Sequence, residues 1–237
     1  MDRILDYFIT PNEEGLTVLN FLRSRGFSRH ILTAMKADKK ALTLNGAKAG
    51  GHTLLKDSDH LHVQLLENGS SEGILPTPMD TSGGIILAKN ALSAAVLSDE
   101  MRSRKIRRTY LAIVEGIIPE NGTISAPIGR KEGSVMERHI DFEHGETAIT
   151  HYERLAVING FSLAELHLET GRTHQIRVHM GYIGHPLPAD YLYNPVYDHF
   201  KRQPLHSFQL DFTHPLTGKE MCITAPVPDD LYDFCRK

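Results

Sequence analysis

No apolar run in this sequence approaches the roughly 20 residues that span a bilayer. Its start, Met1-Asp-Arg-Ile-Leu-Asp-Tyr-Phe8, lacks the basic region and long apolar stretch of a secretory signal, so a cytoplasmic protein is expected. Cysteine is scarce: Cys222 and Cys235 are the only two and have no CxxC spacing, which argues against a disulfide framework or a zinc ribbon. Charge of one sign is not in excess either, and the formal net charge of −3 does not advertise a nucleic-acid binder. There are no repeats and no low-complexity tract. What is there, 237 residues of which 41% are apolar, suffices for one substantial core and a small second module.

The charge is unevenly distributed. Between Arg23 and Lys56 the bases Arg23, Arg25, Arg29, Lys36, Lys39, Lys40, Lys48 and Lys56 face a single acid, Asp38. A second cluster packs Arg102, Arg104, Lys105, Arg107 and Arg108 together. Such patches can neutralise phosphates and release their counterions, although an ordinary solvated helix face reads the same way.

Residues 16–25 and 28–37 have helical periodicity, with Val18, Leu19 and Leu22 on one face, Ile31, Ala34 and Met35 on another, and Ser28 as an N-cap. Leu42 and Leu44 at strand spacing, the Asn45-Gly46 turn, and the alternation of Leu61, Val63 and Leu65 complete a helix-helix-strand module. Its order and residues, GLTVLNFLRSRG, SRHILTAMK, LTLNGAK and LLKDSDHLHV, resemble the small S4-type RNA-binding domain over residues 15–67. That resemblance implies an RNA grip through Arg23, Arg25, Arg29 and Lys36.

From Asn68 to Met79 the composition shifts to Gly, Ser and Pro, which places a linker at 68–79. Beyond it, the apolar run Gly84–Ala88 suits a buried strand, and Ala91–Arg104 a helix with Leu92, Ala95 and Val96 inward. Thr109–Glu115 reads as a strand with Tyr110, Ala112 and Val114 on one face and Leu111 and Ile113 on the other. Further strands fall near 147–156 and 161–169, a short helix over Thr173–Tyr182, and a closing hairpin sets Phe208, Leu210 and Phe212 against Met221 and Ile223. The expectation is an α+β protein: a small module over 1–67, then over 80–237 a mixed, mainly antiparallel sheet with flanking helices.

The segment Gly171-Arg-Thr-His-Gln-Ile-Arg-Val-His179 sits where a strand ends and a helix begins. An arginine there, Arg172, can hold a phosphate, pair with a carboxylate, or simply tether strand to helix through a buried ion pair. His174, His179 and His185 lack the i, i+4 spacing and acidic partner of a metal helix, so structural or RNA contacts are the better reading. Tyr110 fits either a core ring or a functional one.

This segment closely resembles the third motif of the RluA-type RNA pseudouridine synthases, which modify ribosomal and transfer RNA. Agreement extends to Asp80-Thr-Ser-Gly83, to Arg108-Thr-Tyr-Leu-Ala-Ile-Val-Glu-Gly116 and to His214-Pro-Leu-Thr-Gly218. The resemblance implies a cofactor-free isomerase that detaches uracil from C1′, turns it and rejoins it through carbon after extruding the base; RNA is the expected partner, and a monomer without metal is expected. By motif, Tyr110 is the tyrosine that stacks on the flipped base and Arg172 the arginine that pairs with the catalytic aspartate. Arg108, His174, Gln175 and Arg177 become candidates for RNA contact.

The family's aspartate lies in an HRLD motif two residues ahead of the position of Asp80, and Pro78 stands there. Leu75-Pro-Thr-Pro78 looks like linker, so several tens of residues are expected to be missing between Met79 and Asp80. Asp80 is then the nearest carboxylate that can substitute. Ala189 and Asn194 also stand where the family favours glycine, so the turn around Asp190 is expected to differ in shape.

Overall fold

The computed structural model describes residues 3–36, 41–65 and 81–236, and these fall into two units. The first takes the described residues up to 65 together with 87–99, and the second takes 81–86 with 100–236. The expected linker at 68–79, together with Lys39, Lys40 and Asp80, lies outside the described residues. Among those residues no helix is long and apolar enough to cross a membrane.

In the first unit β1 (Arg3–Phe8), β2 (Leu42–Leu44), β3 (Ala47–Lys48) and β4 (His60–Leu65) form an antiparallel sheet in the order β1-β4-β2-β3. Leu61, Val63 and Leu65 are buried, as their alternation predicts. Two helices, α1 (Val18–Ser24) and α2 (Arg29–Lys36), bury Phe21, Leu22, Ile31, Leu32 and Met35. Thr17 Oγ1 accepts the Asn20 N–H at the start of α1, and Ser28 Oγ accepts the Ile31 N–H in α2. A third helix, α3 (Ala91–Arg102), is capped by Asn90 Oδ1 on the Ser93 N–H and buries Leu92.

The expectation of a buried strand over Gly84–Ala88 is overturned. Only Ser82–Gly83 pairs, as a short β5 running parallel to His206–Ser207, while Ile85 and Leu87 are 57% and 55% exposed. Gly83, at φ +105°, brings its α-carbon so close to Ser207 that an added Cβ would lie 2.2 Å from the Ser207 carbonyl oxygen. Past that point the described residues offer no neighbouring strand to cover the apolar run.

The second unit is built on β6 (Arg107–Glu115), β7 (Asn121–Ser125), β10 (Ile149–Ile158), β11 (Phe161–Leu168), β12 (Leu205–Thr213) and β13 (Glu220–Thr224), with β5 beside β12. Their order is β13-β12-β6-β11-β10-β7, and every neighbour along it is antiparallel. A separate hairpin, β8 (Ile128–Arg130) with β9 (Arg138–Ile140), completes the strands. Alternation along β6 sends Ala112 and Val114, with half-buried Tyr110, into a core shared with Leu166 and with Ile176 and Met180 of α4 (Gln175–Tyr182). Leu111 and Ile113 face the other way, onto Phe200 and onto Leu231 and Phe234 of α5 (Asp229–Cys235). The protein is α+β, with the end of β11 and the start of α4 at one end of the sheet.

Candidate functional site

The β11-to-α4 junction is stitched from within. Gln175 is 2% exposed; its Oε1 accepts from Thr170 Oγ1 at 2.8 Å and from the Arg172 N–H at 2.9 Å. Its Nε2 donates to the Ile149 carbonyl at 2.9 Å and to Thr150 Oγ1 at 3.0 Å. One side-chain amide thus locks the strand end, the turn and β10 together with all four bonds made. Gly171 packs against the tip of Arg108: a Cβ there would lie 2.6 Å from Arg108 Nη2, so a larger residue would have to push that guanidinium aside. His174 follows at φ +58° and turns the chain into α4.

That turn presents Arg172 at the surface, its side chain 37% exposed. Its Nη1 donates to Glu146 Oε2 in a close ion pair, and its Nε donates to the Thr147 carbonyl at 3.1 Å. Of the alternatives for this residue, an arginine paired with a carboxylate is what forms, but at the surface rather than in the interior. The pair borders a cavity of ≈ 390 Å³ lined by Ile128, Gly129, Arg130, Arg138, His144, Glu146, Gly171, Arg172 and Thr173. Three guanidinium groups and one imidazole therefore face one carboxylate. Arg130, Arg138, His144 and Glu146 carry no motif, and only the fold of the β8–β9 hairpin and the loop after it brings them to Arg172.

Tyr110 does not line that cavity. It lies on β6 between Leu166 of β11 and Ser207 of β12, and its ring packs on the core under α4. Arg108, on the same face of β6, links the two places. Its Nη2 donates to the Thr170 carbonyl at 3.4 Å beside Gly171, and its Nε is buried with no acceptor among the described residues. A buried donor left unpaired is uncommon.

Two expected RNA contacts are corrected by burial. Arg177 is 4% exposed and forks onto Asp190, Nε to Oδ2 at 2.7 Å and Nη2 to Oδ1 at 2.6 Å, with the rings of Tyr191 and Tyr193 about it at 5.1 and 5.0 Å. Gln175 is spent on the junction, as above. Both side chains are closed to RNA because the interior uses them. His174 is half-buried, its Nδ1 2.9 Å from the Tyr193 hydroxyl, which also accepts the Arg138 N–H. His179 is fully buried between Thr150 Oγ1 and the Ala126 carbonyl, and burial holds its imidazole below the usual range. His185 bonds the Glu115 carbonyl. The three histidines make separate structural contacts, and no metal-binding group forms among the described residues.

At the turn around Asp190, Ala189 sits at φ +55°, in the left-handed region that a glycine adopts without strain. In the first unit Arg23, Arg25 and Arg29 are exposed. Arg25 is also bound to Glu13 at 2.5 Å and rests on the Phe21 ring at 5.1 Å, so part of its charge is already answered. Lys36 ends α2, and its side chain lies outside the described part.

Residues 79–182 match the RNA pseudouridylate synthase family. The uncharacterized RNA pseudouridine synthase YjbO of Bacillus subtilis is 31% identical to this chain over 275 residues, covering 91% of the chain and 97% of the relative. Ribosomal large subunit pseudouridine synthase D of Haemophilus influenzae is 37% identical over 171 residues, covering 65% of the chain and 52% of the relative. The chain thus spans nearly all of the first relative and about half of the second. A solved structure, human RNA pseudouridylate synthase domain containing 1, aligns with a TM-score of 0.51 at 26% identity, over 71% of this chain and 64% of that one.

Proposed function

The chain belongs to the RNA pseudouridine synthase family, and we propose that it converts uridine to pseudouridine in structured ribosomal or transfer RNA. The observation that carries this is the locked β11–α4 junction, which holds Arg172 out over a cationic cavity while Arg108 ties it to the strand of Tyr110. In this reading Tyr110 stacks on the extruded base and Arg172 holds the reacting carboxylate. That carboxylate, assigned to Asp80, attacks the nucleotide as the N1–C1′ bond breaks and its electron pair passes to the uracil. After the ring turns, C5 bonds to C1′, the carboxylate is released, C5 gives up its proton and N1 gains one. Residues 1–67 act as an S4-like RNA-binding module, with exposed Arg23 and Arg29 as phosphate contacts.

A second reading, RNA binding without isomerisation, is favoured by a specific observation. The match to YjbO runs over 275 positions although this chain has 237 residues, so the alignment contains positions without a counterpart here. A catalytic domain that lost its HRLD segment, and with it the strand beside residues 84–88, fits both that excess and the exposure of Ile85 and Leu87. The two readings part in a mass-spectrometric assay of RNA treated with the full chain. Isomerisation predicts pseudouridine that disappears in Arg172→Ala at undiminished RNA affinity; a large loss of affinity would place Arg172 in binding instead.

A further inference from the structure

We propose that the cavity between the β8–β9 hairpin and the β11–α4 turn is a subsite for an RNA backbone phosphate, and that Glu146 is its built-in competitor. This rests on RNA being the substrate. Arg130, Arg138 and Arg172 converge on the cavity, and Thr173 adds a hydroxyl. Arg130 is exposed, and its side chain has no ion-pair or hydrogen-bond partner among the described residues. Arg138 is anchored through Nη1 to the Val135, Met136 and Glu137 carbonyls, so its guanidinium is held in place. Planar guanidinium groups matched to an oxyanion are a phosphate's preferred partners.

The carboxylates nearby are disposed unequally. Asp141 lies under Gly129, where a Cβ would sit 2.7 Å from Oδ2, but it is occupied by the Glu143 and His144 N–H groups, and these bonds hold its carboxyl below the usual range. Glu146 instead reaches across to Arg172, and its side chain is 69% exposed. An exposed carboxylate on a guanidinium is weakly held in water, so a second anion bound beside it can displace it. A backbone phosphate held between Arg130 and Arg138 would repel the Glu146 carboxylate and so free Arg172 Nη1 towards the nucleotide. Substrate arrival is thereby coupled to the freeing of the arginine.

The test uses the full chain with a labelled uridine-containing RNA stem-loop, titrated between 50 and 200 mM salt (about the range over which phosphate contacts dominate). Glu146→Gln is expected to tighten binding about 3- to 10-fold and to steepen the log–log salt slope by about one. Arg130→Gln, at an exposed position that leaves folding intact, is expected to weaken binding and make the slope shallower by about one. Unchanged or weaker binding in Glu146→Gln, or an unchanged slope in Arg130→Gln, overturns the subsite while leaving the RNA substrate standing. If wild-type protein fails to bind the RNA but is stabilised by inorganic tripolyphosphate, the assignment to RNA falls, and the RNA substrate proposed for this chain with it.

Discussion

Arg177→Met keeps most of the aliphatic bulk of the side chain and removes its charge, leaving the Asp190 carboxylate in a site where the two side chains are 4% and 1% exposed. The aspartate loses bonds of 2.7 and 2.6 Å and keeps only the N–H groups of Leu192 and Tyr193, at 3.1 and 3.2 Å. Leaving one half of a buried pair uncompensated costs about 3–5 kcal/mol. For a protein of this length about 1 kcal/mol corresponds to roughly 2–4 °C, so the transition of the second unit should fall by about 6–20 °C. Arg172→Met removes a half-exposed pair, should cost less than about 1 kcal/mol, and so should move the transition by no more than about 4 °C. Circular dichroism melts of both variants beside the wild type give the comparison. If Arg177→Met melts within about 2 °C of the wild type, the view that this arginine is spent on the interior is wrong.

Ala189→Gly should raise stability by about 1 kcal/mol, since a left-handed alanine costs about that much, and a denaturant titration showing no gain would count against strain at this turn. Burial lowers the His179 pKa, so the folded state keeps the ring neutral while the unfolded chain takes a proton first. Stability from this group is present above about pH 6.5 and is lost as pH falls through the folded value. His179→Asn should therefore show a flatter decline between about pH 7 and 5 than the wild type, and parallel declines would refute the assignment. Reversing Arg23, Arg25 and Arg29 to glutamate should weaken RNA binding and flatten its salt dependence by about two to three units of slope. An unchanged slope removes the first unit from the RNA interface.

Where residue chemistry and period agree, the fold was legible. Tyr110, Ala112 and Val114 against Leu111 and Ile113 predicted both faces of β6, and the pairs Leu210–Ile223 and Phe212–Met221 form in the expected hairpin. β1 has no such clean signal: Ile4 and Phe8 are exposed while Leu5 and Tyr7 are half-buried, so apolar residues lie on both faces. Residues 84–88 carry a strand's composition without a strand's surroundings, which only the three-dimensional neighbours decide. At the site, the segment from Gly171 to His179 located the junction but not the use of each polar residue. Gln175 and Arg177 look like RNA contacts in one dimension and are interior fasteners in three. Glu146 and Arg130 lie 26 and 42 positions before Arg172, and their convergence depends on hairpin geometry that no local pattern encodes.

The central claim, uridine isomerisation that depends on Tyr110 and Arg172, is tested most directly by tritium release from RNA carrying 5-tritiated uridine. Purified full chain is assayed beside Asp80→Asn and Tyr110→Phe. Release by the wild type that is lost in both variants is the predicted result, with Asp80 as the attacking carboxylate. No release from a folded wild-type protein that still binds the RNA would contradict the claim, and would leave RNA binding as the function of this chain.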